Sequence, residues 1–181
     1  TFVRAGEALP GNADLVVVPG SKSTLSDLKF FREQGWDVDL HAHVRRGGWV
    51  VGVCGGYQML GLSVADPHGI EGDPGEAAGL GLLDVVTVLE GDKTLREVRG
   101  EDVASDAAVY GYEIHIGSTT GDGLDRPMLR VDGVPHGATA LNGRVQGCYM
   151  HGLFGSDEYR STILSQLAQR DIQGVAYEAR V

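Results

Sequence analysis

The chain has 181 residues, 28 of them glycine, two cysteines and a formal charge of −10. Glycine is thus about 15% of the chain, against a usual ~7%, yet it follows no collagen-like period. The length suits one domain with a real core and excludes two full ones. No run of 18 apolar residues exists to cross a membrane as a helix.

In chain order, Leu15–Val18 is a short apolar run, the pattern of a strand buried on both faces, and Pro19-Gly20 ends it. Ser21 or Ser23 is placed to cap a helix over Thr24–Phe31, with Asp27 in its early turns. A second helix is expected from Val38 to Arg46, stopped by Gly47-Gly48. Trp49–Val53 is another buried strand, and Cys54-Gly55-Gly56 leads at once into a helical turn at Tyr57. Strand, helix, strand, helix with short links is the mark of a parallel α/β layer.

Residues 64–82 read as loop, with Asp-Pro, His-Gly and Asp-Pro-Gly signals. Strands are expected over Asp84–Leu89, Thr94–Val98, Val109–Ile116, Met128–Val131 and Ala138–Leu141. Asn142-Gly143 is a hairpin turn, with Val145–Met150 as the return strand. Ser156 or Asp157 can cap a last helix over Glu158–Gln169, with Ile163, Leu164 and Leu167 as its apolar stripe.

The charge has an address. Residues 61–130 carry 14 acidic and 5 basic residues, and the remainder is nearly neutral. An acidic surface of this kind argues against nucleic acid or anionic membrane as a partner. Two cysteines in 181 residues do not make a disulfide scaffold and point to a reducing, cytoplasmic setting, and no signal peptide is visible. The chain starts at Thr1 with a buried strand close behind, so it reads as one domain, 1–181, cut from a longer protein.

The most informative segment is Val51-Gly52-Val53-Cys54-Gly55-Gly56-Tyr57-Gln58. A cysteine between a buried strand and a helix sits on a sharp turn, with a helix N-terminus beneath its sulfur to favour the thiolate. Glycines on both sides let a reacting carbonyl approach the backbone, and the Gly55 N–H is placed to donate to an oxyanion. Cys148, in an alternating strand, reads as structural, and its distance from Cys54 argues against a metal site. Gly20-Ser21-Lys22-Ser23 lacks the glycine spacing of a phosphate-binding loop.

A cysteine nucleophile needs a base. Of six histidines, His41 and His43 are expected on a solvated helix face, and His68 and His136 in turn-rich segments. His115 and His151 remain; His151, ending a strand before Gly152, is preferred.

The stretch from Val53 to Gly61 resembles the nucleophile segment of class I glutamine amidotransferases, whose Cys-x-Gly-x-Gln fits Cys54, Gly56 and Gln58. Together with Pro19-Gly20-Ser21-Lys22, Gly111-Tyr112-Glu113-Ile114-His115 and Tyr149–Phe154, it resembles the C-terminal glutaminase domain of the cobyric acid synthase family. The resemblance covers nearly the whole chain. It implies a three-layer α/β, flavodoxin-like fold with a mostly parallel central sheet and added antiparallel strands in the C-terminal half.

The resemblance also assigns roles. Cys54 is the nucleophile and His151 the base. Gly20, Ser21 and Gly55 supply oxyanion-hole N–H groups, and Gln58 and Gly56 lie close to bound L-glutamine. Ammonia would pass to an N-terminal synthetase that uses ATP and Mg2+ to amidate adenosylcobyrinic acid a,c-diamide; the domain itself holds no cofactor or metal. The wider class has Glu two residues after the histidine, where this chain has Leu153. The imidazole must then be oriented by Glu113, Asp157 or Glu158, by a backbone carbonyl, or by water. Related amidoligases, namely the a,c-diamide synthase and the enzyme amidating peptidoglycan lipid intermediates, are the nearest alternatives. A cysteine peptidase or other hydrolase and a non-catalytic scaffold are the others.

Overall fold

A computed structural model of the chain describes residues 1–91 and 94–168. The first part contains β1 (Leu15–Val18), α1 (Thr24–Glu33), α2 (Trp36–Arg45), β2 (Trp49–Val53) and α3 (Gly55–Leu60). The middle contains β3 (Ser63–Asp66), β4 (Gly75–Ala78), β5 (Val86–Val88), β6 (Thr94–Asp102), β7 (Ala108–His115) and β8 (Ser118–Thr120). The last part contains β9 (Leu129–Val131), β10 (Val134–His136), β11 (Ala138–Thr139), β12 (Val145–Cys148), β13 (Met150–His151) and α4 (Asp157–Ala168).

Three sheets result. The first has the order β1-β2-β12-β11, parallel across β1, β2 and β12 and closed by the antiparallel β11. The second, β10-β9-β6-β7-β13, is antiparallel throughout. The third, β4-β3-β5-β8, is antiparallel except for the β3–β5 pair.

The central strand β2 separates two cores. Val50, fully buried, belongs to the cluster of Leu28, Leu40, Tyr57 and Leu60 from α1, α2 and α3. Val51, equally buried, faces the other way, into the cluster of Met150, Leu153, Tyr159 and Ile163. Burying each such side chain is worth about 1.5–3 kcal/mol, which makes β2 the common wall of a three-layer arrangement.

Both early helices form where their sequence pattern places them, and the hairpin at Asn142-Gly143 joins β11 to β12. Several expectations need correction. Residues 64–82 are not all loop, because Ser63–Asp66 pairs with both Gly75–Ala78 and β5. β1 is an edge strand, so Val17 is exposed rather than buried. His43 is not solvated: it is buried, and its Nε2 lies 3.0 Å from the Trp49 carbonyl oxygen. Leu164 faces out of α4, while Ile163 is buried and Leu167 packs, partly buried, against the same core, as expected, and Gln169 lies outside the described residues.

The cap of α1 also differs from expectation. Neither Ser21 nor Ser23 caps α1 with its side chain; the Glu71 carboxylate accepts the Thr24 N–H at 2.7 Å instead. The Ser156 hydroxyl accepts the Tyr110 N–H at 2.9 Å, tying the start of α4 to β7.

One departure positions the site. Val145–Met150 is not one strand. It runs in the parallel sheet as far as Cys148, breaks at Tyr149, and resumes as β13 against β7. The Tyr149 N–H donates to His136 Nε2 at 3.1 Å, so the break leaves no orphaned donor. This crossover carries the chain from the sheet of Cys54 to the sheet of His151.

Candidate active site

Cys54 stands at the end of β2 with φ 53° and ψ −116°, a left-handed conformation rare for a non-glycine residue. The turn is held from both sides: the Cys54 N–H donates to the Cys148 carbonyl at 2.9 Å, and the Gln58 N–H donates to the Cys54 carbonyl at 3.1 Å. The loop after β1 presses on the same turn. A Cβ on Gly56 would stand 2.1 Å from the Val18 carbonyl oxygen, and one on Gly55 would stand 2.8 Å from the Ser21 nitrogen. Both positions therefore exclude a side chain. The main chains of Gly55 and Ser21 thus come together at the residue next to Cys54.

His151 arrives from the second sheet. A Cβ on Gly20 would lie 3.5 Å from Cys54 Cβ and 3.1 Å from His151 Cε1, so nucleophile and imidazole flank one bare glycine. His151 Nε2 is buried and has no hydrogen-bond partner. Burial lowers the His151 pKa below the ordinary histidine value, and hydrogen bonding to the Ile114 carbonyl opposes that shift. The same carbonyl accepts the Cys54 S–H at 3.1 Å. One main-chain oxygen of β7 thus serves both side chains.

Of the expected residues, Cys54, His151, Gly20, Ser21, Gly55 and Gly56 meet here, while Gln58, Glu113 and Asp157 are engaged with other partners. The Ser21 hydroxyl donates to Asp27 at 2.5 Å and accepts the Ser23 N–H at 2.9 Å, which fixes the loop. Gln58 is buried, with both ends of its amide in use. Its oxygen accepts from Thr24 at 3.2 Å, and its nitrogen donates to the Ile116 carbonyl at 3.1 Å and Tyr149 Oη at 3.3 Å. Glu113 directs one oxygen to Arg96 at 2.8 Å and the other to His115 Nδ1 at 3.4 Å. Asp157 pairs with Arg160, and Glu158 is exposed.

His115, the second candidate base, is stacked on Tyr149 with ring centroids 3.8 Å apart. Burial lowers its pKa as well, with Glu113 opposing and Arg96 reinforcing. Cys148 is fully buried, and desolvation pushes its thiol up to about 12, consistent with an inert core cysteine. Among the described residues no group of three or more His, Cys, Asp or Glu is arranged to hold a metal ion. Among the same residues no helix is long and apolar enough to cross a membrane.

Of the orienters the sequence left open, a backbone carbonyl, that of Ile114, meets the imidazole; the Tyr112 ring stacked on it escapes sequence reasoning. Tyr112 was visible only as part of Gly111-Tyr112-Glu113-Ile114-His115, with nothing to pair it to His151.

Comparison with known proteins identifies the family. Residues 1–159 match the model of the CobB/CobQ-like glutamine amidotransferase domain. The chain belongs to this family. It is a class I glutamine amidotransferase domain, an enzyme by kinship.

Relatives that resemble it include a cobyric acid synthase of Cereibacter sphaeroides, 57% identical over 99% of this chain and 37% of that protein. A cobyric acid synthase of a Caulobacter species is 59% identical over 92% of this chain and 35% of that protein. The chain therefore spans little more than a third of these relatives. Two solved structures share the fold. One is a glutamine amidotransferase, with a TM-score of 0.56 at 19% identity, covering 86% of this chain and 79% of that one. The other is PurLQS of Thermotoga maritima, with a TM-score of 0.58 at 16% identity, covering 85% and 80%.

Proposed function

We propose that the chain is the glutaminase part of an enzyme of the cobyric acid synthase type, releasing ammonia from L-glutamine through a thioester on Cys54. The observation that carries this reading is the single glycine, Gly20, flanked by both Cys54 and His151.

In this mechanism His151 accepts the thiol proton and Cys54 Sγ attacks the side-chain amide carbon of glutamine. The oxygen of the tetrahedral intermediate takes its charge toward the N–H groups of Gly55 and the Gly20-Ser21 turn. His151 returns its proton to the leaving nitrogen, and ammonia departs. Water, activated by the same imidazole, then hydrolyses the γ-glutamyl thioester to glutamate. Gly56 lets the loop after β1 close onto α3, and Gln58 holds α3 in place through Thr24 and Ile116.

The kinship with cobyric acid synthases supports the destination of the ammonia: a synthetase part, using ATP and Mg2+, that amidates side-chain carboxylates of adenosylcobyrinic acid a,c-diamide in cobalamin synthesis. The domain would be one portion, 1–181, of that longer enzyme, working in the cytoplasm.

The test is 6-diazo-5-oxo-norleucine, a glutamine analogue that alkylates the nucleophile. Intact mass should show one adduct mapping to Cys54, absent in Cys54→Ser. A folded protein that takes up no adduct overturns the reading.

A further inference from the structure

In the register of β13 against β7, His151 stands directly opposite Tyr112. Their rings are parallel within 5°, with centroids 5.0 Å apart. That is the separation of an offset aromatic stack. Tyr112 is 45% exposed, so its ring lies on the imidazole without being part of a core. Position 153, where a carboxylate could reach back to the imidazole, is a buried leucine. Glu113, the nearest acid in sequence to Tyr112, is turned to Arg96 and His115.

The geometry points to Tyr112 as the positioning residue of His151, its ring fixing the imidazole plane in place of a hydrogen-bonded carboxylate. The inference rests on the reading of Cys54 and His151 as nucleophile and base. Two physical effects act together. The stack on one face restricts rotation of the ring, so Nε2 stays in the buried space beside Gly20 and Cys54. When the thiol proton moves from Cys54 Sγ to the imidazole, the ring becomes a cation facing an aromatic face within ~6 Å, an arrangement that stabilises it. The thiolate–imidazolium pair thereby forms at lower pH than it would over an aliphatic neighbour.

Alkylation of Cys54 by iodoacetamide, followed by intact mass across a pH series, tests this without glutamine. Cys148, buried with its thiol pushed up, does not compete. Tyr112→Phe keeps the stack and should alkylate within about twofold of the unaltered chain. Tyr112→Leu keeps the bulk but not the stack; its rate at neutral pH should fall roughly tenfold and its pH profile move upward. Its melting temperature should stay within about 2 °C, since the position is half exposed. His151→Ala sets the scale of complete loss. An unchanged rate in Tyr112→Leu beside a changed rate in His151→Ala overturns the inference alone. An equal loss in Tyr112→Phe and Tyr112→Leu also overturns it, since the hydroxyl would then be what matters. An unchanged rate in His151→Ala overturns the base reading and the inference with it.

Discussion

The parallel strands β1, β2 and β12 and the antiparallel ladder of β6, β7 and β13 each bring half of the site, and they hold it differently. Cys54 is locked by main chain on every side: the turn at φ 53°, the Cys148 carbonyl, and the loop from Val18 to Ser21 pressed against Gly55 and Gly56. His151 sits on a two-residue strand at the edge of its sheet, steadied by a half-exposed tyrosine and one carbonyl oxygen. The nucleophile is therefore held by the main chain of its own turn, whereas the base is held by a two-residue edge strand and the contacts of its ring. Changes in the first half should register in stability, and changes in the second in rate.

The strongest break of that contrast is Gly56→Ala. The new Cβ would fall 2.1 Å from the Val18 oxygen and 2.7 Å from the Pro19 oxygen, both main chain in a closed loop. Neither can yield without moving β1 off α3. Destabilisation beyond about 3 kcal/mol is expected. In a thermal melt that is a fall of roughly 6–12 °C. A change below about 1 kcal/mol would show that the loop is softer than its contacts suggest.

Gly111→Ala is the counterpart in the other half. Its Cβ would lie 1.9 Å from the His151 carbonyl oxygen. Here the obstructed partner is the two-residue edge strand β13, which pairs in its sheet with β7 alone. The stability cost should be only about 1–2 kcal/mol, while glutaminase turnover falls roughly a hundredfold because the imidazole is displaced. Equal thermal losses in Gly56→Ala and Gly111→Ala would erase the distinction between the halves.

The same division governs what the sequence discloses. Leu15–Val18 and Trp49–Val53 are continuous apolar runs, Gly47-Gly48 stops a helix, and Cys54-Gly55-Gly56 marks the elbow; all are local signals in the parallel half. The other half depends on register between distant segments. Strands β3 and β4 hide among Pro and Gly because each is four residues long and is defined by its partner. The break at Tyr149 follows no turn signal, since a histidine side chain from β10 takes the freed N–H. His43 reads as a surface residue by helical spacing, yet the bare main chain of Gly48 lets its ring fold inward. Tyr112 and His151 become neighbours only once β7 and β13 are paired, which no local pattern announces.

Acid gives the gentlest way to separate the halves. His115, His136 and His151 all belong to the antiparallel half, and burial lowers the pKa of each below the ordinary 6.5. Folded-state values below the unfolded value mean that the unfolded chain binds protons first as pH falls. Stability conferred by neutral histidines is whole above the unfolded value of 6.5 and is lost as pH drops from there through the lowered folded values. Rate follows a different limit. The base form of His151 persists until its own lowered pKa is reached, so the acid limb of kcat/KM should lie below 6.5. Between these limits the melting temperature should already be falling while kcat/KM holds. Parallel pH series of melting temperature and initial rate, on the same samples, read both. An acid limb at or above the ordinary histidine value would mean that the imidazole is solvated in the working enzyme, and that the β7–β13 edge opens more widely than its stacking with Tyr112 permits.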